Sequence, residues 1–205
     1  MKKLLGISSF LILLVGCGGA GSGEGELTVT SAINKVEQDL ICCTTWQETT
    51  DENGATTGEC QEYATPATKT IEITLKQADI SKEFAAGSDL LFEECTVRII
   101  PNPSLPDAAK DEGLLETMVN YTHCTGTDIP ADGSGVIEIT YSQGLLETIY
   151  PVWIELGGRT LNYTIEVTAK YTSADGEEEY IKVIKVPIDF SDFILAEHDM
   201  CTSTK

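Results

Sequence analysis

The side chains best able to do chemistry in this chain of 205 residues are seven cysteines and only two histidines. Both histidines stand near a cysteine: His123 precedes Cys124, and His198 lies three residues before Cys201 with Met200 between. Cys, His and Met suit copper or zinc, so His123, Cys124, His198 and Cys201 form a weak candidate set for a soft metal. No Cys-x-x-Cys pair exists to strengthen it. Nucleophilic hydrolysis needs Ser or Cys beside a His base, and two histidines leave little material. Gly-x-Ser-x-Gly, P-loop, dinucleotide and His-Glu-x-x-His patterns are all missing. A carboxylate-based hydrolase needs only two acids about 5–10 Å apart, but among 33 acids no pair singles itself out. The expectation is a protein that is not an enzyme and has no catalytic residues.

Acidic loops offer a second metal chemistry. Asp51, Glu52 and Asn53 share one turn, Asp128 and Asp132 another, and Asp175, Glu177, Glu178 and Glu179 a third. Oxygen ligands from loops at one end of a sandwich can hold calcium, which would suit a calcium-dependent adhesion module. None of the three fits an EF-hand, and solvated acidic tips are the simpler reading, so no cofactor is expected. Thirteen Lys and Arg against 33 Asp and Glu give a net charge of −20. Nucleic acid is therefore excluded as a natural partner, since phosphate binding requires a basic face. The same balance argues against electrostatic docking on anionic lipid.

The N-terminus carries an address. Met1-Lys2-Lys3 is basic, Leu4 to Val15 is largely apolar and too short to span a bilayer, and Leu14-Val15-Gly16-Cys17 follows. Over these 17 residues the chain resembles the bacterial lipoprotein class. The resemblance implies that residues 1–16 are a signal peptide and that Cys17 is acylated, with palmitate among the chains. Two or three acyl chains anchor stably where one does not. The rest of the protein would then sit on the extracytoplasmic side of the cell envelope, held to the membrane by lipid. Gly18 rather than Asp after the cysteine favours the outer membrane in a diderm cell. Residues 17–25 close with a Gly/Ser-rich tether.

With Cys17 assigned to lipid, six cysteines remain, and an even number in an exported protein reads as a disulfide framework. Adjacent residues on a strand point to opposite faces, so Cys42 and Cys43 should have different partners. Cys60 lies across a turn from them and should bridge to one. Cys95 and Cys124 flank a Pro-rich loop and could pair, leaving Cys201 to tie the tail back to the other member of the vicinal pair.

These residues need a scaffold, and its dominant period is two. Leu27 and Val29, Ile71 to Leu75, Cys95 to Ile99 and above all Leu161 to Tyr171 alternate apolar with polar residues, as half-buried strands do. Asn53-Gly54, Asp132-Gly133 and Asp175-Gly176 mark turns. Residues 26–205 therefore read as a single all-β domain, an antiparallel β-sandwich of about eight or nine strands, immunoglobulin-like in general architecture. Short helices fit at Asp79 to Ala86, Asp107 to Val119 and Asp192 to Met200. Gly113-Leu114-Leu115-Glu116-Thr117 recurs as Gly144-Leu145-Leu146-Glu147-Thr148. Two copies do not make a solenoid, and shared turn-then-strand grammar accounts for the echo. Pro101 to Pro106 reads as one crossover loop. Trp46 and Trp153, the only tryptophans, are expected in the core or at its rim. Asn120 and Asn162, each in an Asn-x-Thr pattern, are expected on strands facing solvent. The functional expectation is a non-enzymatic binding or structural module whose partner is another envelope protein or surface component.

Overall fold

The computed structural model describes residues 27–31, 33–77 and 88–192. Alternation of apolar and polar residues builds two four-stranded sheets. The first has the order β1 (Leu27–Val29), β5 (Ile71–Gln77), β8 (Ser134–Tyr141), β7 (Thr122–Gly126). The second has the order β2 (Val36–Asp39), β10 (Glu179–Ser191), β9 (Leu161–Ser173), β6 (Leu90–Pro101). In β9 every second residue from Leu161 to Ser173 is buried and those between are half-buried, which is the clean two-faced strand its sequence predicts. The inner faces share one core: Ile73, Leu75, Ile137 and Ile139 from the first sheet meet Ile165, Val167, Val186 and Ile188 from the second. Tyr141 and Phe190 join edge to face across the interface, with ring centroids 6.4 Å apart.

The all-β sandwich stands, with three differences from expectation. Ten strands occur among the described residues, because the segment from Cys42 to Ala64 forms a hairpin of its own, β3 (Cys42–Thr50) and β4 (Thr56–Ala64). One pairing is parallel, β2 against the last four residues of β10. Two passages between the sheets, moreover, are helical. From β6 the chain turns through Pro101–Pro106 and a short 3-10 turn (Asp107–Lys110) into α1 (Glu112–Asn120), then enters β7 of the other sheet. From β8 it returns through α2 (Gln143–Glu155) to β9.

Both copies of the Gly-Leu-Leu-Glu-Thr echo lie in these helices, not in strands. Thr117 Oγ1 donates to the Gly113 carbonyl and Thr148 Oγ1 to the Gly144 carbonyl, both at 2.7 Å. The two copies thus make the same local bond, four residues back along the helix. Asn120 correspondingly ends α1 rather than facing out from a strand, whereas Asn162 does lie on β9. The helix expected over 107–119 is present as the 3-10 turn plus α1. Those expected over 79–86 and after Asp192 fall outside the described residues.

Strand direction places the two ends of the body. Lys182, near the start of β10, donates to the Leu27 carbonyl at 2.5 Å. Ser191, at the far end of β10, accepts from the Leu40 amide at 2.9 Å, just before the β3–β4 hairpin begins. Nine residues at about 3.3 Å each separate these points, roughly 30 Å. Residue 27 and the base of the hairpin are therefore at opposite ends of the sandwich.

Candidate functional site

Of the candidate metal ligands, the structure places two. His123 is exposed on β7, opposite Thr140 of β8. Cys124, its neighbour, is half-buried and bonded to Cys95 of β6. A sulfur in a disulfide is not a thiolate ligand, so Cys124 drops out of the proposed soft-metal set. His198 and Cys201 lie outside the described residues, as does the acylation candidate Cys17. Cys43 pairs with Cys60, which decides between the two adjacent cysteines. Cys42 is disulfide-bonded as well, and Cys201, its expected partner, is not described.

One aspartate in each acidic loop is engaged by hydrogen-bond donors of the protein itself. Asp51 Oδ1 accepts from the amides of Asn53 and Ala55, at 2.9 and 2.8 Å, so that residue shapes the Gly54 turn. Asp128 Oδ1 accepts from the Phe92 amide at 2.8 Å. Asp175 Oδ1 accepts from Ser173 Oγ at 2.5 Å and from the Glu177 amide at 3.1 Å. The Ser173 hydroxyl, with the Glu177 amide behind it, holds the Asp175 carboxyl below its ordinary range. Asp51 and Asp175 serve as turn-formers, whereas Asp128 ties its loop to β6. No three Asp, Glu, His or Cys side chains converge on a common centre among the described residues.

One groove, of about 370 Å³, runs between β6 and α1. Ile99, Leu115 and Val119 give it an apolar floor, with Arg98, Glu112, Glu116 and Asn120 around it. Arg98 Nη1 lies 3.6 Å from Glu166 Oε1, and Glu166 Oε2 lies 3.2 Å from Lys185 Nζ. The arginine is thus one end of a charge row across β6, β9 and β10. Glu112 and Glu116 sit one helical turn apart on the same side of α1. A glycosidase pair flanks the scissile bond from two sides, and two acids on one helix face do not present that arrangement.

The β3–β4 hairpin differs from all of this. Consecutive strand residues point to opposite faces, yet from Thr44 outward its residues are exposed on both faces, apart from half-buried Trp46 and Gly58 and buried Cys60. Among the described residues it is an arm whose two strands pair only with each other. A two-stranded hairpin is marginal in water, and this one is held by several devices. Cys43–Cys60 closes its base. Thr49 and Thr57, then Thr50 and Thr56, face each other with hydroxyls 3.2 and 3.3 Å apart. The Trp46 indole lies so close over Gly58 that a Cβ there would come within 2.0 Å of Cζ2. The arm carries Glu48, Asp51, Glu52, Glu59 and Glu62 and no Lys or Arg. In the body, by contrast, Lys35 meets Glu37 and Asp189, and Lys170 meets Glu93 and Glu179.

Sequence reading missed α2 and the independence of this arm. The helix has a visible signal in hindsight: Leu145, Ile149 and Trp153 are four apart and all buried, although Pro151 and the β-branched residues obscure it. Trp153 is a core residue, 7 % exposed, and stacks on Tyr150 with centroids 5.9 Å apart.

No protein-family model, no curated protein and no solved structure matches this chain.

Proposed function

We propose that this protein is a non-enzymatic, lipid-anchored module of the bacterial cell envelope that binds another envelope component. The observation that carries the reading is the polarity of the sandwich. Residue 27, where the Gly-rich stretch enters the body, is at one end, and the base of the exposed arm is at the other. Acylation at Cys17 would hold the first end toward the bilayer and present the arm and helices away from it. A net charge of −20 keeps such a body from lying down on anionic lipid. The disulfides support an oxidising, extracytoplasmic location.

The test is acylation at Cys17. Bacteria producing the chain are fed an alkyne-bearing palmitate analogue, with Cys17→Ser as comparison. The expected result is a labelled, membrane-associated wild-type chain and an unlabelled Cys17→Ser chain. A wild-type chain that takes no label and fractionates without membrane overturns the reading.

A further inference from the structure

The geometry points to the β3–β4 arm as the docking element, and to an extended protein segment bearing lysine or arginine as its occupant, added as a further strand along the arm. The inference deepens the proposed envelope-binding role and rests on it for the direction in which the arm points.

Several strand edges are unpaired among the described residues, and the uncovered part of β10 and the arm are built in opposite ways. On β10, the Ser191 carbonyl faces β2, and the unbroken register with β9 keeps odd-numbered residues facing that same side. Pro187 occupies one such position and removes its donor, and Lys185 occupies another. Proline and lysine are the usual means of blunting an edge against unwanted pairing. Self-pairing of β10 around a two-fold axis would also invert one copy, placing the two residue-27 ends on opposite sides.

Neither strand of the arm contains proline or lysine. Its edges are open among the described residues, and main-chain ladders are how extended segments add to an exposed sheet. Charge then selects the occupant. Glu48 and Glu59 lie within the paired strands, with Asp51 and Glu52 at the tip, and none has a cationic side chain within salt-bridge distance among the described residues. Two such arms repel each other, and so do most acidic chains, whereas a cationic strand is drawn in. Trp46, held flat against Gly58, adds a fixed aromatic face over which an ammonium or guanidinium can sit.

The probe is a fluorescein-labelled octapeptide of alternating Lys and Val, titrated by anisotropy into the full chain in detergent micelles. Three comparisons accompany it: Glu48→Gln/Glu59→Gln on the arm, Glu112→Gln/Glu116→Gln on α1, and a peptide with two central valines replaced by proline. The expected result is binding that the arm variant weakens about tenfold, two exposed ion pairs' worth, that the α1 variant leaves within about twofold, and that the proline peptide loses. Equal weakening by both variants would mean diffuse attraction to an acidic protein and would overturn the proposal. So would undiminished binding of the proline peptide, equal displacement by spermine, or no binding at all. Acyl labelling at Cys17 is read separately, so a failed arm with a labelled anchor removes only the arm's role.

Discussion

Cys95 and Cys124 show what a single pair of residues does for this architecture. They sit on β6 and β7, the edge strands of two different sheets, so their bond fastens the sandwich along one side. The sequence separation is 29 residues, and closing a loop of that size restricts the unfolded chain by about 3–4 kcal/mol in the chain-entropy account. Replacing both, Cys95→Ala/Cys124→Ala, is expected to lower unfolding stability by roughly that much, read as a lower urea midpoint with an otherwise native spectrum. An unchanged midpoint would show that core burial alone holds the sheets together. The neighbouring His123 keeps its exposure but loses the thiol that made it interesting as a metal ligand. That pair was legible from the sequence as two strand cysteines flanking one loop. The choice of Cys43 over Cys42 as partner of Cys60 was not, because it depends on which of two adjacent side chains the hairpin turns inward.

At the scale of elements, the arm and the helices carry the lesson. Period-two alternation was strong enough to reveal β5, β6 and β9, because in each one face is more deeply buried than the other. The arm has two wet faces, so its Thr- and Glu-rich strands show no such contrast, and only Asn53-Gly54 and the cysteines announced a hairpin. Its order depends on local contacts, Trp46 on Gly58 above all. Gly58→Val would drive a side chain into the indole, given the 2.0 Å approach. The expected outcome is a changed Trp46 fluorescence and faster proteolysis between Cys43 and Cys60, with the main thermal transition of the body unmoved. A large fall in that transition would show that the arm is part of the core's cooperative unit. The repeated Gly-Leu-Leu-Glu-Thr gained its meaning only in place: each copy lies on a helix that carries the chain from one sheet to the other.

For the whole molecule, buried phenols link the core to pH. Tyr163 and Tyr171 lie in the core, where burial pushes both hydroxyls up to about 12, and burial raises Tyr141 further still. Tyr141 donates to Gln38 Oε1 at 2.7 Å and Tyr163 to the Ala109 carbonyl at 2.9 Å, bonds that need the neutral phenol. In the unfolded chain a phenol ionises near 10. Below that value both states hold the proton, and the native state keeps its full stability. Between about 10 and 12 the unfolded state releases protons that the native state retains, so stability falls as pH rises. Tyrosinate absorbance from these residues should therefore appear together with loss of the β-sheet circular dichroism signal in that window. Ionisation of all the tyrosines well before the sheets melt would contradict the burial.

The amino-acid sequence by itself determined the class of fold, the bridge between the two cysteines flanking the Pro-rich loop and the strongly acidic composition, because alternation, residue type, spacing and charge can be read without knowing the fold. Tertiary structure alone decided which strands share a sheet, that the echoed segments lie on the two helices α1 and α2 that each join one sheet to the other, and that the Cys42–Ala64 hairpin stands off the body. Those outcomes depend on which apolar faces find each other across the core, and that is a competition among distant segments. The position of the arm opposite residue 27 is of the same kind: it follows from the direction of β10, which is set only when β2 and β9 have paired with it.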